Sequence, residues 1–353
     1  MDITPYLKLM VQKNASDLYL TVNSQVKVKI DGQAVAVGKT VLTEDMTREA
    51  AYGIMSDRQI AEFEENMESD FAIAMPDGSA RFRVNVFRQR GDIGMVLRLI
   101  PSKIPTAEDL NLPEILPDLI MSKRGLILMV GGTGSGKSTT LAAMLNHRNQ
   151  NAAGHILTIE DPVEFSHPNL QSIVNQREVG VDTHSYHNAL KASLREAPDV
   201  ILIGEIRERE TMEAALELSN TGHLAVSTLH ANNANQALER VINMFPQNLH
   251  KQLFMDLSLN LRSIISQRLV KAIDGGRVAA IEVMINTPHI AELILKGEVG
   301  EVKEAMEGSG AKGMVAFDAA LYQLYKDGKI TIDEALVNAD SKTNLEAKIN
   351  FGE

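Results

Sequence analysis

The chain has 353 residues with 44% hydrophobic and 23% charged content, values of a folded protein too long for one ordinary core and suited to two domains. A net charge of −11 argues against a default nucleic-acid binder, which needs a basic face to displace counterions, and 4% aromatic content leaves little for stacking single-stranded bases. With no cysteine, disulfides and thiolate zinc sites are excluded, which suits a reducing cytoplasm.

The start, MDITPYLKLMVQKN, lacks the basic end and long apolar core of a signal peptide. No run approaches 18 apolar residues, so no direct membrane insertion is expected and any membrane association must run through a partner. VKVKIDG (26–32) then sets Val26, Val28 and Ile30 on one face and lysines on the other, and ends in a turn. ARFRVNVFRQRG (80–91) repeats the device, with Phe82, Val84, Val86 and Phe87 set against Arg81, Arg83 and Arg88. Between these strands TREAAYGIMSDRQIAEFEEN reads as helical, which makes residues 1–100 a small α+β domain. A stretch carrying Pro101, Pro105, Pro113 and Pro117 follows and marks a linker over 101–112, ahead of a second domain at 113–353.

From Gly125 the apolar runs LILMV, HILTIE, VILIG, HLAVSTL and AAIEVMI alternate with helical segments, the pattern of a mostly parallel sheet covered by helices on both faces. The first run leads into GGTGSGKST (131–139), which matches G-x-x-x-x-G-K-[ST], and STTLAAMLNHRN after it reads as a helix. Strand, glycine loop and helix in that order make an anion cradle: inward N–H groups over Gly132, Thr133, Gly134, Ser135, Gly136, Lys137, Ser138 and Thr139 hold phosphates, with the positive helix end behind them. Lys137 would reach the β- and γ-phosphates of ATP, and the Ser138 hydroxyl would ligate Mg²⁺.

Acidic groups should then stand at the ends of other strands. HILTIEDPVEF delivers Glu160, Asp161 and Glu164 past its strand; PDVILIGEIRERE delivers Glu205 after Gly204, where an aspartate is common. Glu205 is read as the carboxylate facing Mg²⁺ through a water, and Glu164 as the one that orients the attacking water. His223 opens the next strand and His230 closes it, placing His230 where a γ-phosphate could be sensed. Arginines that could meet developing phosphoryl charge cluster in the first domain (Arg81, Arg83, Arg88, Arg90) and around Glu205 (Arg195, Arg207, Arg209), and the sequence does not choose among them. At the C-terminal end Phe317, Leu321 and Leu324 stand at helix spacing, and Thr331 with Glu334 forms a capping box.

GGTGSGKSTTLAAM, TIEDPVEF, PDVILIGEIRERET and TGHLAVSTLHANNA, in this order, resemble the Walker A, Asp, Walker B and His boxes of the secretion and type IV pilus ATPases. NASDLYLTVNSQVKVKIDG and RFRVNVFRQRG are similar to the PAS-like first domain of the retraction branch. The resemblance covers nearly the whole chain. It implies a RecA-like P-loop core behind a PAS-like domain, and a hexameric ring that hydrolyses ATP at interfaces between the two domains and pulls pilin out of the fibre. It assigns Glu164 as the catalytic glutamate, Glu205 as the Walker B acid, and His223 and His230 as the His box. The implied partners are an inner-membrane pilus platform protein and a PilT-like paralogue; the implied place is the cytoplasm, peripheral at the inner membrane. Extension and secretion relatives commonly carry a four-cysteine metal module that this chain lacks, which favours the PilT/PilU-like retraction branch. HIAELILKGEV (289–299) stands where the principal motors carry an AIRNLI-type motif, so the accessory, PilU-like side of the branch fits better. Ala197, where many relatives have aspartate, is a departure close to Arg195. The alternatives are a nucleic-acid translocase of the same fold and a non-hydrolysing ring protein stabilised by nucleotide.

Overall fold

The computed structural model describes residues 1–30, 32–75, 77–101 and 103–351. Asp31 of the expected turn, Ser102 of the expected linker and residues 352–353 of the expected second domain lie outside them. Two compact units divide the chain: Met1–Lys103 together with Val163–Ser166 and Gly180–His184, and the remainder from Ile104 onward.

The first unit is α+β. Helices α1 (Thr4–Lys13), α2 (Glu44–Tyr52) and α3 (Asp57–Asn66) accompany strands β1 (Asp17–Leu20), β2 (Gln25–Ile30), β3 (Gln33–Val41), β4 (Glu68–Ala74), β5 (Arg81–Gln89) and β6 (Asp92–Ile100). The strands form one antiparallel sheet in the order β3-β2-β1-β6-β5-β4. Alternation does the folding here: Val26 and Val28 of β2 and Phe82, Val84 and Val86 of β5 join Leu7, Met10, Phe63 and Leu97 in one core. Phe87 does not share that face. One residue past Val86, it turns with Arg81 and Arg83 to the other side, where its ring packs against Gly94, whereas Arg88, expected opposite the apolar residues, shares Val86's side and lies over the Phe63 ring. The single helix expected over 47–66 is two, because Ser56 starts a new one: its hydroxyl accepts the Gln59 N–H and the Gln59 side chain returns to the Ser56 N–H.

The second unit is an α/β layer structure. In chain order it contains α4 (Ile115–Ile120), β7 (Gly125–Val130), α5 (Lys137–Asn151), β8 (Gly154–Glu160), β9 (Ser172–Glu178), α6 (Tyr186–Ser193), β10 (Val200–Glu205), α7 (Arg209–Asn220), β11 (Leu224–Leu229), α8 (Ala234–Asn243), α9 (His250–Asn260), β12 (Leu261–Lys271), β13 (Arg277–Ile285), α10 (Pro288–Lys296), α11 (Val302–Glu307), α12 (Phe317–Lys326), α13 (Ile332–Asn338) and α14 (Lys342–Phe351). The sheet order is β13-β12-β7-β11-β10-β8-β9, parallel throughout except for the β12–β13 pair. Both faces are covered, one by a core around Leu128, Ile203 and Leu229, the other by one around Ile127, Met144 and Val226. A small α+β unit ahead of a mostly parallel P-loop core is the expected fold.

Two strands escape the apolar-run signal. β9 is a polar edge strand, and β12 carries Ser263, Ser266, Gln267 and Arg268 among its aliphatic residues. Helices α12 to α14 close over β12 and β13, sharing Phe317, Leu321, Ala335 and Leu345 with Val270 and Ala280. The capping box at α13 is half made: Thr331 accepts the Glu334 N–H at 3.2 Å, while Glu334 Oε1 accepts instead from the Lys271 N–H at 2.9 Å.

Candidate active site

Strand β7 is buried along its length and ends at Val130, so the loop that begins at Gly131 leaves the sheet at its carboxyl edge and returns as α5 at Lys137. Gly136 has φ +86°, and a Cβ there would lie 2.8 Å from Gln267 Nε2. Gln267 is the floor of the loop. Its Nε2 donates to Ser135 O and its Oε1 accepts from Thr140 Oγ1, both at 2.8 Å, so one buried amide of β12 joins the loop to the first turn of α5. Lys137 Nζ donates to Gly131 O and Gly132 O at 2.8 and 2.9 Å. Ser135 Oγ is buried with no hydrogen-bond partner among the described residues, and the first turn of α5 contains no acidic residue.

These features fit a polyphosphate. A helix N-terminus presents unsatisfied N–H groups and a positive field, a lysine stands on the loop, and no carboxylate in that turn competes. Among the described residues no group of three or more His, Asp or Glu side chains could hold a metal ion; Ser138 and Glu205 are the residues that would meet a Mg²⁺ carried on phosphate oxygens.

The neighbouring strand ends complete the site. β11 pairs β7 with Leu229 opposite Val130, which brings His230 beside the start of the loop. β10 lies one strand further out, and its register with β11 slips at Gly204 so that Glu205 faces Thr228. Glu205 is not an isolated carboxylate. Its Oε1 meets His230 Nε2 at 3.1 Å and its Oε2 is gripped by Arg207, Nη2 at 2.7 Å and Nε at 2.8 Å. Gly204 is glycine for want of room: a Cβ would lie 2.7 Å from Tyr186 Oη and 3.2 Å from Glu160 Cα. That crowding explains why no aspartate stands there. Burial, reinforced by Asp161 and Glu160, pushes the Tyr186 phenol well above its ordinary range, so it remains a neutral hydroxyl among these acids. Glu160 itself accepts from Thr158 Oγ1 at 2.6 Å. Between the loop and the start of α8 opens a cavity of about 450 Å³ lined by Gly131, Gly132, His230, Asn232, Gln236 and Arg240.

The structure thus gathers Lys137, Ser138, Glu205, His230 and Arg207 in one unit, and the other candidates lie elsewhere on that unit or belong to the first. His223 sits at the opposite end of β11, roughly 20 Å of strand away, where its Nδ1 lies 3.1 Å from both Thr221 Oγ1 and Leu218 O. Glu164 belongs to Val163–Ser166, the stretch that packs with the first unit, where the Ser166 N–H donates to Pro101 O at 3.1 Å. Arg81, Arg83 and Arg88 lie on β5 of that unit; Arg88 is already paired with Glu64 at 2.6 Å and stacked on Phe63. Arg195 is exposed, two residues before Ala197, whose φ is +49°. Arg209 pairs with Glu213 at 2.7 Å on its own helix. Gln267 and Tyr186 were missed in the sequence, since each reaches the site from a distant element; a glutamine inside a hydrophobic strand was the one available signal.

A parallel sheet with a glycine loop feeding a helix, a lysine on that loop and a braced carboxylate two strands away define a P-loop ATPase. The family model for "Type II/IV secretion system protein" matches residues 1–280, and the chain belongs to that family. It is 53% identical over 353 residues to the type IV pilus ATPase PilU of Pseudomonas aeruginosa, covering 100% of this chain and 92% of that one. It is 43% identical over 345 residues to PilT of the same organism, described as a type IV pilus retraction ATPase, covering 98% and 100%. A solved structure of the pilus retraction motor PilT with bound ADP superposes with a TM-score of 0.91 at 41% identity, covering 98% of this chain and 99% of that one. No helix among the described residues is long and apolar enough to cross a membrane.

Proposed function

We propose that the chain is an ATP-hydrolysing motor of the type IV pilus machinery that powers or assists retraction, and with it twitching motility. It works as a homo-oligomeric ring, a hexamer, in the cytoplasm at the inner membrane, held there by a pilus platform protein and able to act beside a PilT-like paralogue; nucleic acid is not its substrate. The observation that carries the reading is the row of groups at the carboxyl ends of β7, β11 and β10: the lysine-bearing loop, then His230, then Glu205 with both oxygens held. Full-length likeness to PilU and PilT supports the machinery assigned.

In this reading residues 132–139 hold the phosphates of ATP, and Lys137 exchanges the carbonyls of Gly131 and Gly132 for phosphate oxygens. Mg²⁺, when bound, neutralises charge on the β- and γ-phosphates. His230 and Arg207 hold both oxygens of Glu205, so its position is set before substrate arrives. Glu164, by its place in TIEDPVEF, is the residue that orients the attacking water. The domain reading of 1–100 and 113–353 joined by 101–112 supplies the two parts whose movement delivers force.

Lys137→Ala and Glu205→Ala separate binding from turnover. The first should weaken ATP binding; the second, like Glu164→Gln, should keep binding and lose hydrolysis. Parental turnover in Lys137→Ala and Glu205→Ala would remove the catalytic assignment. ATPase stimulation by single-stranded DNA with steep salt dependence would replace the motor with a translocase.

A further inference from the structure

Strand β12 places Ser266, Gln267 and Arg268 in succession, and alternation sends their side chains to opposite faces of the sheet. Gln267 serves the loop. Ser266 and Arg268 serve the segment that leaves His230 for α8. Arg268 Nη2 donates to Asn232 O at 3.0 Å and to Asp340 Oδ1 at 2.6 Å, Nη1 donates to Asn338 O at 2.6 Å, and the guanidinium lies 3.8 Å above the Phe317 ring. Asp340 Oδ2 accepts from Asn233 Nδ2 at 2.9 Å, and the N–H groups of Asp340 and Ser341 are held by Asp318. Glu282 of β13, 3% exposed, accepts the Ala234 N–H and the Ser266 hydroxyl, both at 2.8 Å.

Asn232, Asn233 and Ala234 are therefore each tied down by a separate group, beginning two residues after His230. One end of the network is the wall of the cavity beside the phosphate loop, where Asn232 stands with His230. The other end is the cap of helices α12 to α14, which shares a core with β12 and β13. A half-buried ion pair such as Arg268–Asp340 adds little stability over apolar packing, whereas it fixes geometry between elements. We propose that Arg268 and Asp340 are positioning residues that tie the His230–Asn233 segment to the C-terminal helices, so that the seating of those helices sets His230 against Glu205.

This rests on the reading of Glu205 and His230 as parts of the hydrolytic site, and the test keeps the two apart. Asn233→Asp retains the α8 cap, since its side chain accepts the Gln236 N–H, but it removes the donor to Asp340 and opposes two carboxylates. ATP turnover should fall about tenfold or more in kcat, with KM for ATP and ADP affinity held within about twofold. Asn233→Asp/Asp340→Asn exchanges donor and acceptor across the same pair and should recover kcat to within about threefold of the parent. Arg268→Met should reproduce the kcat loss and add nothing to Asn233→Asp, as expected of groups acting as one unit. If Arg268→Met does not fold, the Asn233 pair decides alone. His230→Ala is the reference: parental turnover in it removes the reading of the site. If His230→Ala loses turnover while Asn233→Asp and Arg268→Met keep theirs, the coupling alone is refuted. A rise in KM at unchanged kcat, or a failure of the exchange to restore kcat, refutes it equally.

Discussion

Replacing Gln267 by glutamate tests whether the floor of the loop governs nucleotide affinity. The glutamine is 2% exposed, and its amide donates to Ser135 O while accepting from Thr140 Oγ1. Glutamate has nearly the same shape. Ionised, it still accepts from Thr140 but turns an oxygen toward a carbonyl that has lost its donor, leaving a buried acceptor unsatisfied at a cost of about 1–3 kcal/mol. The new charge also lies under the start of α5 and competes with phosphate for the positive helix end, roughly another 0.3–1 kcal/mol. The lost donor weakens the folded state with or without nucleotide and lowers Tm, whereas the charge competes only with bound phosphate, so ADP affinity drops about twofold to fivefold at pH 8, which titration calorimetry reads directly. The sign with pH follows from burial, which raises a carboxyl's pKa. Below that raised value the protonated acid donates to Ser135 O again, so the ratio of variant to parental Kd should shrink as the pH is lowered to about 5.5. A variant that binds ADP within about twofold of the parent at pH 8, with an unchanged Tm, would refute the reasoning.

Gly204→Ala should destabilise by about 1–3 kcal/mol, because its Cβ would meet Tyr186 Oη at 2.7 Å, and Tyr186→Phe in that background should recover part of the loss; urea unfolding of the pair that finds no interaction between the two changes would contradict this. His167 is pushed by burial from the usual 6.5 down to about 4, so the folded chain keeps it neutral while the unfolded chain takes up a proton. Stability is then lost as the pH falls from about 6.5 to 4, by at most ~3 kcal/mol from this one group, and His167→Asn should flatten that limb of the urea midpoint against pH. Equal slopes in parent and variant would exclude His167 as the cause.

The phosphate loop was legible in the sequence because everything it needs is contiguous: an apolar strand, glycines where the chain turns, a lysine and a helix start, all within residues 125–149. So were Glu205 and His230, which end strands whose apolar runs announce them, and the inner face of β5 apart from Phe87, whose side is settled by parity. The unread part of the site is made by residues far apart in the chain. Nothing in GGTGSGKST indicates that its floor is an amide 132 positions later, or that Gly204 is small because Tyr186 needs the space. β12 stayed hidden because its two faces have different duties, one under the loop and one toward Asp340, which breaks the apolar run a buried parallel strand usually shows. His223 and His230 open and close one strand in the sequence, and the parallel course of β11 beside β7 sends the second to the loop and the first to the opposite edge. Local chemistry depends on neighbours along the chain, and the sequence determines it. Which distant side chain braces a loop or a carboxylate depends on strand order and register, and those exist only once the sheet has formed.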